Sequence, residues 1–338
     1  MTAAAIPLAR TAALAPFIRF LDGIGTPTER LLERSGLSPQ LLFREDTLFA
    51  LRQGLTFIDR SARVEKLPHM GLIVGQQTRI AQLGELGQLL SPSMTLFTAI
   101  LTLAQVIRLF SSAERLSIHY QGEKVFFCHA LSLGNCAGRR HGDLFTLMLM
   151  IDLIRCAAGR QWHPCAVWLP LSEAAHRASY EELLQTVVRF HGEFWAIALD
   201  RSLLADQLRY VDNRADRNGD ALQSLQALAP ASDFVGSLRQ VIASCLGHGN
   251  AHIGLVADAA GLSVRTLQRR LAEQRRSYSH LVEEARLQAA HRLLQDGDVK
   301  LVDVALELGY SDAANFTRAF RRWTGLSPRE ARRRTASS

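Results

Sequence analysis

Two stretches near the end of the chain carry one pattern, and a repeat of this kind admits few folds. The first is LVADAAGLSVRTLQRRL, residues 255–271; the second is LVDVALELGYSDAANFTRAF, residues 301–320. Each opens as a short helix with a Val-Ala pair, Val256-Ala257 and then Val304-Ala305, and reaches a glycine, Gly261 or Gly309. An apolar residue (Leu262, Tyr310) and a capping side chain (Ser263, Asp312) follow. The next helix of each copy sets core residues four apart, Leu267 and Leu271 or Phe316 and Phe320, with Arg269 or Arg318 midway. Matched positions of these second helices lie 49 residues apart.

The physics of the unit is local. Glycine tolerates the left-handed backbone that ends one helix and turns the chain sharply. Ser or Asp at the next start accepts a hydrogen bond from a free N–H. Two helix-turn-helix units are therefore expected. With the Leu and Phe pairs inward, the outer faces carry Val264, Arg265, Gln268 and Arg269, then Ala313, Ala314, Thr317 and Arg318. Such faces suit the major groove of double-stranded DNA, where Arg matches guanine and Gln matches adenine. Between the copies, YSHLVEEARLQAAHRLLQDG spaces Leu281, Ala285, Ala289 and Leu293 four apart and ends at Gly297. A helix there would hold two readers at a fixed separation, suited to successive turns of one DNA face about 34 Å apart.

Charge follows the same division. The chain has 338 residues and a formal charge of +7. Residues 232–338 hold 16 Lys and Arg against 11 Asp and Glu, so +5 of that charge sits in the last third. From Arg318 onward seven arginines face Glu330 alone. A basic end of this kind is the footprint of a nucleic-acid module. Lysine occurs only at Lys66, Lys124 and Lys300. Arginine suits bidentate contacts to phosphate and bases, but it is spread over the whole chain, which a compositional bias explains equally.

The first 220 residues read differently. Residues 10–66 and 91–110 carry helical spacing; RLSIHYQGEKVFFCHAL alternates as a β-hairpin; PCAVWLPL and FWAIALD read as strands, with a helix over SYEELLQTVVRF between them. The expected fold class is an α+β N-terminal regulatory domain with a small sheet, followed by an all-α C-terminal domain with two helix-turn-helix motifs joined by a linker helix. The domains are placed at 1–220, a polar linker at 221–231, and 232–338.

No enzyme motif of the nucleotide-binding, hydrolase or metalloprotease kinds is present. The five cysteines, Cys128, Cys136, Cys156, Cys165 and Cys245, form no Cys-x-x-Cys pair, so no metal site or cofactor is expected. A redox-sensing cysteine, Cys128 or Cys136, and an unrecognised fused enzyme stand as alternatives. No secretory leader or span long enough for a bilayer is read, and the expectation is a cytoplasmic protein without membrane contact. For a small-molecule pocket, Asp152 and Arg155 read either as a polar anchor or as a helix-surface pair. His119 and His129 read as plain strand residues, and Phe126, Phe127, Phe145, Trp168 and Trp195 as core.

GLSVRTLQRRLAEQ, EEARLQAAHRLLQDGD and VDVALELGYSDAANFTRAFRRWTGLSPREARR, with their spacing, resemble the DNA-binding domain of the AraC/XylS transcriptional regulators over residues 232–332. The resemblance puts Arg265, Gln268 and Arg269 where that family reads bases, and Ala313, Ala314, Thr317 and Arg318 at the corresponding places of the second helix. GLSPQLLFRED, MGLIVGQQ, LGELGQLLSPSMTLFTAI and FWAIALD are similar to the regulatory domain of one branch of the family. The resemblance implies a bacterial regulator, more often an activator, with a small-molecule effector, RNA polymerase as a partner and homodimerisation in many members.

Overall fold

The computed structural model describes residues 4–39, 47–91, 93–172, 177–209, 218–246, 251–295 and 299–336. The chain opens with β1 (Leu8–Arg10), α1 (Ala15–Gly23) and α2 (Thr28–Arg34). Then come β2 (Leu48–Ala50), α3 (Leu51–Val64), α4 (Met70–Gln77), α5 (Gly84–Gln88) and α6 (Leu96–Phe110). The hairpin is β3 (Glu114–Gln121) and β4 (Lys124–Leu131), in the register Ile118 to Phe127 and Tyr120 to Val125. It is followed by α7 (Arg139–Ala158), β5 (Ala166–Leu169), α8 (Arg177–Leu184), β6 (Val188–Phe190) and β7 (Trp195–Asp200). The five-stranded sheet has the order β3-β4-β7-β5-β6, antiparallel except for the parallel pair β5–β6. Residues Val188–Phe190, expected as the end of a helix, instead form this edge strand. The helix stops at Leu184, and Gln185 takes a left-handed φ of 51° before the chain turns.

The core of this half lies between the sheet and α7, which is buried nearly all round. Gly71 and Gly75 let α4 lie directly on α7: a Cβ at Gly71 would stand 2.1 Å from the His141 carbonyl oxygen. A second, two-stranded sheet pairs β1 with β2, and β2 interrupts residues 10–66, which read as helical. Its strands are three residues long, too short for the period-2 signal to stand out. Its register is Leu8 to Ala50, Ala9 to Phe49 and Arg10 to Leu48.

The expected linker is helical for much of its length. In α9 (Asn218–Ala227), Ala221 and Leu225 are buried in the N-terminal core. Arg10, fully buried, pairs with Glu85 at 2.9 Å and donates to the carbonyls of Ser224 (2.8 Å) and Leu225 (3.1 Å). One buried guanidinium thus ties β1, α5 and α9 together. Residues 211–217, just before the expected linker, and Gly297 lie outside the described residues.

The C-terminal half is helical: α10 (Phe234–Leu246), α11 (Ile253–Ala259), α12 (Val264–Glu273), α13 (Tyr278–Gln295), α14 (Leu301–Glu307), α15 (Ala313–Thr324) and α16 (Pro328–Ala336). It holds two separate cores. One gathers α10, α11, α12 and the start of α13, together with Ile6, Leu8 and Ala50 from the N-terminal half. The other joins the end of α13 to α14 and α15 through Ala290, Leu294, Val304, Leu308, Phe316 and Phe320. Phe316 and Phe320 are fully buried, each contributing about 1.5–3 kcal/mol of transfer free energy. Among the described residues no helix is long and apolar enough to cross a membrane.

Candidate nucleic-acid interface

Both helix-turn-helix units form as their sequence dictates. Gly261 turns the chain at φ +67° and Gly309 at φ +77°. The Ser263 hydroxyl accepts from the Thr266 N–H at 3.1 Å, and the Asp312 carboxylate from the Asn315 N–H at 2.7 Å. That cap, helped by Ser311 and Arg318, holds the Asp312 carboxyl below the usual carboxylate range. Leu267, Leu271, Phe316 and Phe320 are buried, which turns the opposite faces of α12 and α15 outward.

On α12, Arg265, Gln268 and Arg269 are exposed, while Val264 is half-buried against the first core. Arg269 lies 3.8 Å from Glu273 one turn on. Among the described residues Arg265 is engaged in no ion pair. On α15, Ala314 and Arg318 are exposed; Ala313 packs partly on the second core, and the Thr317 hydroxyl donates to the Ala313 carbonyl at 2.7 Å. Arg318 donates to the Asn315 side chain. The eight residues thus divide into an exposed set of five and a half-buried set of Val264, Ala313 and Thr317.

Other arginines serve the scaffold. Arg286 donates from Nε to the Leu308 carbonyl at 3.1 Å and its guanidinium lies 4.9 Å from the Tyr310 ring centroid. Arg322 pairs with Glu283 at 2.6 Å, and Arg276 with Glu284 at 3.0 Å. The bonds of Arg286 and Arg322 fix α13 against the turn of the second unit and against α15, and that of Arg276 ties α13 to the turn that precedes it. The first unit is also gripped from the N-terminal half. The Arg52 guanidinium of α3 sits over the Gly261 turn, where an added Cβ would stand 2.5 Å from its Nε. Leu255 of α11 packs near Gly36.

In the N-terminal half the structure corrects several readings. Asp152 and Arg155 are not a helix-surface pair. Asp152 is buried, takes the Arg79 guanidinium at 2.9 Å and the Ile80 N–H at 2.8 Å, and Arg155 donates to the Trp162 carbonyl at 2.9 Å. His129 is more than a strand residue. It is buried between Glu114, 2.8 Å from Nδ1, and Asp143, 3.0 Å from Nε2. Burial pulls its imidazole down, but the two carboxylates outweigh that and hold it up at about 10. His119 is exposed. Phe127 and Phe145 are buried and, with Ala9, Phe49, Leu103 and Met150, line an apolar cavity of about 100 Å³.

Burial also raises the thiols of Cys128 and Cys245 to about 11 and Cys156 to about 12, and it raises Cys136. Redox chemistry needs a thiolate, and burial holds Cys128 and Cys136 toward the thiol form.

The sequence profile of the arabinose-binding domain of AraC transcription regulator, N-terminal, matches residues 25–208, and a helix-turn-helix domain profile matches 256–334. The chain is 24% identical over 312 residues to the HTH-type transcriptional regulator VirS of Mycobacterium tuberculosis, covering 91% of this chain and 92% of the relative. It is 24% identical over 316 residues to the ornithine utilization regulator of Pseudomonas aeruginosa, covering 89% and 93%. A crystal structure of the transcriptional regulator CdpR from Pseudomonas aeruginosa aligns at TM-score 0.43 and 22% identity over 95% of this chain and 98% of that one. With the N-terminal profile spanning more than half the chain and the paired helix-turn-helix units folded as its C-terminal end, the protein belongs to the AraC family of DNA-binding transcriptional regulators.

Proposed function

We propose that this regulator reads an asymmetric DNA site with both units and that a small molecule in the N-terminal domain controls the binding. The observation that carries this reading is the exposure of Arg265, Gln268 and Arg269 on one face of α12, a face rigidly backed by Leu267 and Leu271. Arg265 and Gln268 face guanine and adenine edges. On α15 the groove-facing groups are Ala314 and Arg318, with Ala313, Thr317 and, on α12, Val264 supporting them from half-buried positions. The second unit therefore contributes thymine-methyl contact and phosphate positioning, and the first carries more of the discrimination. The protein acts in the cytoplasm as an activator that engages RNA polymerase, and it pairs as a homodimer on its promoters.

The test is selection of genomic fragments by the full-length protein, followed by sequencing. An enriched site with two elements about one helical turn apart supports paired reading. Arg265→Ala and Gln268→Ala should each cost about 1–3 kcal/mol on that site and little on random DNA. Equal losses on both DNAs would sink the base-reading role.

A further inference from the structure

The apolar cavity of the N-terminal half is lined by Phe17, Phe49, Phe127 and Phe145 and by aliphatic side chains of α6 and α7. Three polar groups interrupt its wall: Ser111, Glu114 and Thr146. Ser111 is 4% exposed, and its hydroxyl has no hydrogen-bond partner among the described residues. An unmet buried hydroxyl is costly, and one on the wall of a cavity marks where a bound molecule would be held. Glu114 supplies an acceptor beside it. One carboxylate oxygen stands 2.8 Å from His129, and the other lies 3.5 Å from the Thr146 hydroxyl.

Resting on the reading of this half as the effector domain, we propose that the cavity binds a small, uncharged, mainly apolar molecule with a single hydroxyl head. The head lies between Ser111 and Glu114, donating to the carboxylate and accepting from the serine. The size follows from the volume: a dry cavity of roughly 150 Å³ takes a benzene ring, so about 100 Å³ takes a short chain as it stands and a single ring where the adaptable Met150 and the leucines of its wall shift outward. The charge preference follows from the wall. A ligand carboxylate would meet the Glu114 carboxylate in an apolar surrounding, where like charges repel strongly and desolvation is uncompensated.

The position of Ser111 supplies a route to the DNA-binding end. Ser111 bridges Ala9 of β1, and the adjoining Ser112 exchanges backbone and side-chain bonds with Leu8, its N–H donating to the Leu8 carbonyl at 2.9 Å. Along the two-stranded ribbon the faces alternate. Ala9 and Phe49 line the cavity, while Leu8 and Ala50 sit in the core of the first helix-turn-helix unit. An occupant that moves Ser111 therefore presses on a strand whose other face is part of the DNA-binding domain.

The experiment is calorimetric titration of the full-length protein and its Ser111→Ala variant with 1-butanol, benzyl alcohol, toluene and benzoate. DNA affinity is measured on the same preparations. Saturable binding of either alcohol, weakened about fivefold to tenfold in Ser111→Ala as for a lost neutral hydrogen bond, supports the site. So does toluene binding that the variant leaves unchanged. Ser111→Ala removes an unmet polar group and should fold at least as stably, which keeps the comparison interpretable. Absence of saturable binding of both alcohols, equal binding of benzoate, or indifference of the bound alcohol to Ser111→Ala overturns it. Alcohol binding that leaves DNA affinity untouched would sustain the cavity assignment and sink the regulatory reading instead.

Discussion

Replacing His129 with Leu takes the shared cation from two carboxylates, Glu114 and Asp143, and leaves Asp143 only Arg139 at 3.4 Å. Breaking a buried charge cluster in this way costs about 3–5 kcal/mol, read as a lower urea midpoint. The pH behaviour has a defined sign. The His129 value is raised from 6.5 to about 10, so its contribution is full below 6.5 and drains away as pH climbs toward 10. His141 runs the other way. Burial first, and Arg140 second, push it down to about 4, so its contribution is present above 6.5 and is lost as pH falls toward 4. Stability should peak near pH 6.5, and His141→Gln should flatten the acid side only. None of this was legible in the sequence. His119 and His129 look alike on an alternating hairpin, and only the sheet and α7 reveal that one faces water and the other two carboxylates drawn from 15 positions before and 14 after.

At the scale of elements, the helix-turn-helix units were readable because every determinant is local: a glycine, a cap and two core residues four apart. Their caps should show it. Asp312→Ala removes the bond to the Asn315 N–H and should cost about 1 kcal/mol. Gly309→Ala forces a side chain into φ +77° and should cost about 1–2 kcal/mol, both read from thermal melts of the full chain. The β1–β2 ribbon, the β6 edge and α9 escaped the sequence because their reasons are distant. The strands β1 and β2 pair across 38 to 42 positions, β6 pairs with β5 across 21, and α9 is held by Arg10, some 214 residues earlier. Of the candidate interface, the exposed set was foreseen. The half-burial of Val264, Ala313 and Thr317 was not, since helical spacing gives a face but not how deeply its rim is packed.

For the whole molecule, the +5 carried by residues 232–338 should make DNA affinity fall steeply with salt. The slope of log K against log salt should be about −0.9 per phosphate contacted, and each exposed arginine replaced, Arg269 or Arg318, should lower it by about one. A slope near zero on the selected site would contradict phosphate anchoring. The two readers are also held unequally. The first shares a core with the sensor half, while the second hangs from α13 on a core of its own. Ile6, Leu8 and Ala50 are therefore components of the DNA-binding end, although more than 180 residues of chain separate them from it. A graft that joins this DNA-binding end to a foreign sensor at the boundary near residue 232 would strip Ile6, Leu8 and Ala50 from the core that α10 builds. Modular exchange would work only if the new sensor brought a strand with the same apolar face. That requirement would tie the inheritance of reader and sensor to one another more tightly than their two separate profiles suggest.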